Sequence, residues 1–234
     1  MLDPDHPGSA HTTAVWDAAV RHVIDGPPDW FPYGVPVVGR WQIPKIAAPT
    51  YAALPSNSTA YDKRGQATDP PGTVLHGYVQ DRKLRSQMVN PRPFPDRFAG
   101  FWGVIPPDFS VRAQDPPDLR VLAIRMGRAV GAYYQTRGLR VIPNIRWCDQ
   151  RDFDYCFDGI DIGSAVSVSN HGCWRDRQLR QGFLLGLHEM VERLAPTVLF
   201  VHGTVDHDLI RHLASRTDIV HLLPDRTRAK KNAA

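Results

Sequence analysis

The sequence predicts an α/β fold: a mainly parallel sheet with crossover helices, preceded by a Pro-rich irregular N-terminal region. Three observations carry that expectation. Through the second half, short runs rich in Val and Ile alternate with helical patterns, an order that gives parallel strands joined by right-handed crossovers. Twelve of the 21 prolines fall between Pro27 and Pro95, so the first half should be loop-rich with short strands. No apolar run approaches the roughly 18–20 residues that a membrane span needs. The pattern is compatible with an open sheet and with an irregular (β/α) barrel.

The expected organisation is an N-terminal extension over 1–40, a single α/β domain over 41–224 and a disordered basic tail over 225–234. Residues 1–12 read as disordered. Val15, Ala18, Ala19 and Val23 predict a short helix over 14–24, stopped by Gly26-Pro27-Pro28. A strand is expected over 41–46, then a polar loop over 55–72, either a lid or a mobile segment. TVLHGYV reads as a strand and DRKLRSQMV as a short helix. FWGVI reads as a strand stopped by Pro106-Pro107.

The next helix is marked by Asp115 as a cap, Pro116 in its first turn and Asp118 near the positive end of its dipole. Gly138 closes it as a left-handed cap. LRVIPNIRW and AVSVSN follow as strands. Leu179, Phe183, Leu187, Met190, Val191 and Leu194 then recur at helical spacing over 176–194. Gly182 and Gly186 each cost that helix roughly 1 kcal/mol against Ala, which close packing on the sheet would explain. TVLFVHG, DHDLIRHLAS and DIVHLLP complete the chain as strand, short helix and strand.

Composition, 42% hydrophobic and 22% charged, is that of a globular protein. Three cysteines, Cys148, Cys156 and Cys173, suit a reducing compartment, and the N-terminus lacks the character of a secretory signal. A cytoplasmic location is expected. The net charge of +4 equals the contribution of Arg226, Arg228, Lys230 and Lys231 in the tail. The body thus gives no global argument for a polyanion, and any nucleic-acid contact is expected through the tail. The oligomeric state is left open.

Ligands of parallel sheets sit beyond the carboxyl ends of the strands. The candidates are therefore the polar residues that end adjacent strand-like runs. Asp108 follows FWGVIPP; Asn144, Arg146, Trp147 and Asp149 end LRVIPNIRW; Asn170, His171, Gly172 and Cys173 end AVSVSN; His202 ends TVLFVH. Asp108, Asp149, His171 and His202 are the candidate acids and bases. Asn144, Arg146, Trp147, Asn170, Gly172 and Cys173 are the candidate ligand contacts, with the backbone of Gly172 and the following helix start open to an anion.

The spacings of Cys148, Cys156, His171 and Cys173 match no familiar zinc pattern, and no metal is assigned. No phosphate-cradling G-x-x-x-x-G-K-[ST] loop, G-x-G-x-x-G or G-x-S-x-G elbow occurs, so the cofactor stays unknown.

The ordered set PPDFS, GAYYQTRG, RVIPNIRW, FDYCFDGI, VSVSNHGC, GFLLGLHEMVERLAP and VLFVHG resembles the bacterial and phage family called domain of unknown function 4417. The resemblance runs over residues 41–224 and is strongest over 104–203. This chain carries Gln80-Asp81 where the family usually has two acidic residues, and LRSQM where it has an aromatic-rich stretch. The resemblance implies a protein carried by phages and other mobile elements, and it brings no activity with it. The residues themselves support an α/β enzyme or ligand-binding domain for a small anionic or nucleotide-like molecule, with processing of that molecule left open. The alternative is a non-enzymatic nucleic-acid- or host-protein-binding accessory factor of mobile-element replication or defence evasion.

Overall fold

The computed structural model describes residue 26 and residues 28–211, 213 and 217–223. The expected helix over 14–24, the stretch 1–12 and the basic tail lie outside the described residues. A short antiparallel pair, β1 (Val37–Val38) and β2 (Ile43–Pro44), comes first. Two parallel sheets follow. The first has the order β3 (Asn57–Ala60), β4 (Thr73–Gly77), β5 (Gly103–Pro107). The second has the order β6 (Val166–Ser169), β7 (Val198–His202), β8 (Asp218–Leu222).

Residues 139–145 join the two sheets. They bridge Val104 to Val141 on one side and Asn144 to Ser167 on the other, both parallel. A continuous strand was expected here, and only these bridges form. Pro143 has no N–H to donate, so the ladder is interrupted at its centre. Its carbonyl still accepts from Ser167 N at 2.9 Å, and Ile145 N donates to Ser167 O at 2.8 Å.

Side chains alternate between two faces, as the pleat requires. Leu75, Val104, Val141, Val166, Val168, Leu199 and Val201 face a helix layer that includes Val130, Tyr134, Leu187 and Met190. Val74, Ile105, Ile142, Ala165, Val198, Phe200 and Leu222 form a second, smaller core on the other face. Each such fully buried aliphatic side chain contributes about 1.5–3 kcal/mol.

The second core shows that the row of strands curls. Trp102, at the head of β5, packs against Phe200 of β7 with ring centroids 5.9 Å apart. The curl stops short of a barrel. β3 approaches β8, but among the described residues no ladder joins them. A cleft of about 520 Å³ lies along that seam.

Residues 55–72 are not the loop expected from their polarity. They contain β3 and two 3-10 turns, Tyr61–Gln66 and Pro70–Gly72. Ser58, Thr59 and Ala60 are small enough to be buried beside β4, in the register Asn57 to Thr73.

The helices are α1 (Asp81–Val89), α2 (Phe94–Phe98), α3 (Pro117–Thr136), α4 (Arg177–Leu194) and α5 (His207–Arg211). Asp115 does not cap α3. Its carboxylate turns back to Arg112 N at 3.1 Å, and Pro116 occupies the cap position. Gly138 adopts the expected left-handed conformation, with φ 82°. β5 runs through Pro106 and Pro107 instead of stopping before them, because its pairing with β4 shifts register between His76 and Gly77. No helix among the described residues is long and apolar enough to cross a membrane.

Candidate functional site

The inner face changes character toward the carboxyl ends of the strands. Two residues beyond Val74 comes His76, then Tyr78. Beyond Ile142 come Asn144 and Arg146, beyond Ala165 come Ser167 and Ser169, and beyond Phe200 comes His202. The period of two that builds the inner core thus delivers a polar layer above it. Asp108 joins from the end of β5.

These side chains touch. Tyr78 stacks on His202, with centroids 4.8 Å apart and an interplanar angle of 13°. His76 lies 5.2 Å from His202 and His171 lies 5.5 Å from it, centroid to centroid. The Tyr78 hydroxyl and Ser167 Oγ are 2.6 Å apart, and Ser169 Oγ is 3.0 Å from His202 Nδ1. On the neighbouring wall, Asn144 Nδ2 donates to Asp108 Oδ1 and Arg146 Nη1 to Asp108 Oδ2, each at 3.2 Å. Arg146 Nε is buried and makes no hydrogen bond.

Burial raises the Asp108 carboxyl above the usual range. Arg146 and Asn144 oppose that rise, and the nearby Asp81 reinforces it. Arg146 is raised by the charge of Asp108. Burial, aided by Asp108, lifts the Tyr78 phenol well above its ordinary value. Burial also raises the Cys173 thiol, with Arg146 as the opposing influence. Asp81 is itself buried and accepts from Ser110 N at 3.2 Å and Ser110 Oγ at 3.1 Å. The wall therefore combines a fixed guanidinium, a carboxyl displaced toward its neutral form and imidazoles, the elements of a proton-transfer site.

Of the residues expected at the site, Asp108, Asn144, Arg146, His171 and His202 come together, and Cys173 lies near Arg146. Trp147 faces the other way. Its ring stacks on Phe183 at 5.3 Å, and its Nε1 donates to Gly182 O at 3.3 Å beneath α4. Asp149 caps the 3-10 helix Gln150–Asp154, where hydrogen bonds to Arg151 and then Arg120 hold it well below the usual carboxylate range.

Asn170 is buried. Its amide donates to Thr204 O and accepts from Thr204 N, both at 2.7 Å, which ties the loop after β6 to the loop after β7. Gly172 is left-handed at φ 92° and leads into the short 3-10 turn Cys173–Arg175. The expected anion seat at the following helix start is filled from within. The Asp176 carboxylate caps α4, accepting from Leu179 N at 2.8 Å.

Sequence reasoning missed His76, Tyr78, Asp81, Ser167 and Ser169. The signal for four of them was the same period of two. His76 and Tyr78, and Ser167 and Ser169, share a face with residues already singled out. Among the described residues no group of three His, Cys, Asp or Glu side chains converges to hold a metal ion.

Two curated relatives are similar to this chain, both from mycobacteriophages. The Gene 1 protein of Mycobacterium phage L5 is 32% identical over 58% of this chain and 59% of its own length. The Gene 1 protein of Mycobacterium phage D29 is 28% identical over 72% of this chain and 62% of its own length. The chain thus spans about three fifths of the relatives it matches. No solved structure matches it. A family model described as Domain of unknown function (DUF4417) matches residues 35–220, the greater part of the chain, and the protein belongs to that family.

Proposed function

We propose that this protein binds a small anionic, nucleotide-like molecule at the carboxyl ends of its parallel strands and acts on it by proton transfer. The observation that carries the reading is the Asp108–Arg146 pair, fixed by Asn144 and set beside the Tyr78–His202–His171 ring cluster. Arg146 is the anion contact, since guanidinium recognises phosphate and carboxylate through paired donors. Asp108, with its raised carboxyl, is the general acid or base. His202 is oriented by Ser169 and His171 is exposed, so either imidazole can exchange protons with a ligand. Asn144 orients. Asp149, Asn170 and Trp147 support the frame.

The test is thermal denaturation of the full chain with adenosine monophosphate and ribose 5-phosphate in excess. A ligand at about 100 times its dissociation constant stabilises by about 2.7 kcal/mol, a rise of several degrees for a chain of this size. Arg146→Ala should abolish the rise while remaining folded. A shift that survives in Arg146→Ala, or none for either compound, counts against the reading. The accessory nucleic-acid alternative depends on the tail beyond the described residues. It predicts a salt-dependent oligonucleotide shift that disappears when residues 226–234 are deleted.

A further inference from the structure

At the opposite end of the sheet, where β5 begins and α3 ends, a second cleft of about 610 Å³ is lined by Arg92, Arg137 and Arg140. Two aromatic rings form its floor and hold two of the guanidiniums in place. The Arg140 guanidinium lies 4.7 Å above the Trp102 ring, and that of Arg137 lies 5.2 Å above the Tyr133 ring. Arg140 also donates from Nε to Thr50 O at 2.8 Å and from Nη1 to Trp102 O at 2.5 Å. Its partners there are neutral carbonyls, and among the described residues no carboxylate pairs with it.

Arg137 is exposed, and among the described residues its side chain makes neither an ion pair nor a hydrogen bond. Arg92 pairs with the exposed Asp29. Asp96 is the single carboxylate in the wall and pairs with none of the three.

Part of this arrangement serves α3, because cations near a helix C-terminus complement its dipole. That role needs one charge at the last turn. It does not account for three arginines around one concavity, two of them placed over aromatic rings. Stacking leaves the edges of a guanidinium free, and its donors lie along those edges. Arg140 keeps Nη2 beyond its two carbonyl bonds, and together with the Arg137 fork it offers donors that match the oxygens of phosphate. The volume falls in the range of small-ligand sites. The rings are already covered by arginines, so they offer no platform for nucleic-acid bases. The body of the chain carries no net charge once the tail charges are set aside, so its overall charge gives no reason to expect a polyanion there.

We propose that this cleft is a second ligand site that takes a compact phosphate-bearing small molecule, with Arg137 and Arg140 as its principal contacts. The site is independent of the Asp108–Arg146 cluster and of the function assigned there.

The test is calorimetric titration of the full chain with inorganic pyrophosphate, and in parallel with a single-stranded oligodeoxynucleotide. The variants are Arg137→Glu, Ala99→Glu on the exposed rim, and Arg146→Ala at the other site. Loss of one charge-assisted contact is worth about 1.5–3 kcal/mol, so pyrophosphate affinity should fall roughly tenfold or more in each Glu variant. Arg146→Ala, whatever it loses at the other cluster, should keep the binding that each Glu variant loses. Both substituted rim positions are exposed, and circular dichroism verifies that the variants fold. The proposal is overturned if the parent does not bind pyrophosphate, if either Glu variant binds as tightly as the parent, or if only Arg146→Ala loses binding. An oligonucleotide that binds more tightly than pyrophosphate and responds to the same Glu variants also overturns it, by making the cleft a nucleic-acid surface.

Discussion

Tyr78 lies face to face with His202, ring centroids 4.8 Å apart, although one residue follows β4 and the other ends β7. Between those strands in the row come β5, the 139–145 segment and β6. The stack therefore closes a distance that a flat sheet would leave open. It also places a phenol and an imidazole over the small inner core, against which Tyr78 packs.

Tyr78→Phe keeps the stack and loses the hydroxyl contact with Ser167. Ser167 Oγ retains Phe200 O as a partner at 3.2 Å, so the loss should sit at the low end of the usual 0.5–1.5 kcal/mol for a hydrogen bond. Tyr78→Ala removes the ring as well and should cost about 3 kcal/mol. Urea denaturation measures both. Equal costs for the two variants would show that the ring contact contributes nothing.

Asp108 should make stability fall as pH rises. A carboxyl raised in the folded state contributes fully below its unfolded value, and that contribution is lost as pH rises through the folded value. Burial is the main cause of the rise here. The window opens at about pH 4, the ordinary aspartate value, and extends upward. Asp108→Asn cannot titrate, so its stability curve should be flatter across that window. Chemical denaturation at stepped pH decides the matter, and parallel curves for parent and variant would refute the assignment.

The two glycines of α4 should behave in opposite ways. A Cβ on Gly186 would lie 2.1 Å from Trp147 Nε1, whereas one on Gly182 meets nothing closer than Cys148 O at 3.9 Å. Gly182→Ala should stabilise by up to about 1 kcal/mol through helix propensity. Gly186→Ala should destabilise by about 1–3 kcal/mol, because the indole must move. Thermal denaturation of both variants checks the signs.

Asp152→Ala should be among the most damaging single changes. Arg120 is 2% exposed and Asp152 fully buried, with Nη2 and Oδ2 2.5 Å apart. The same carboxylate accepts from Cys148 N at 2.7 Å and from the Tyr155 hydroxyl. Removing it leaves a buried guanidinium with Asp149, at 3.1 Å, as its one remaining ion-pair partner among the described residues. Breaking a buried pair in this way costs about 3–5 kcal/mol. A loss below 1 kcal/mol in denaturant titration would mean that Asp149 or water takes over.

The alternation of strands and helices, and helix bounds, were legible where period and caps agreed; the order of strands in the sheet was not. Asp81–Val89 is the expected helix residue for residue, and α4 begins behind its cap, Asp176. Legibility failed where polarity was taken as a sign of exposure. Ser58 and Thr59 read as loop because small polar residues seldom mark strands, yet burial beside β4 is what makes them one. The alternation in VSVS is plain, and it suggests a serine face toward water. Here both faces are covered, and the serines line the interior of the curl. The same alternation separates Asn144 and Arg146 from Trp147, which proximity in sequence had grouped together. Curvature is what the sequence could not reveal, since contacts such as His76 with His202 arise only after distant strands meet.

The Asn170 amide has a consequence for how relatives of this protein can diverge. A methyl group added to Gly203, already at φ 129°, would sit 2.0 Å from Asn170 Oδ1. A side chain at 203 would also meet the backbone N of His171 at 3.0 Å, so replacing Asn170 makes no room for it, whereas Asn170 can change while Gly203 stays. Aligned sequences should therefore keep glycine at 203 even where 170 varies, an inherited signature of a latch that closes on bare backbone.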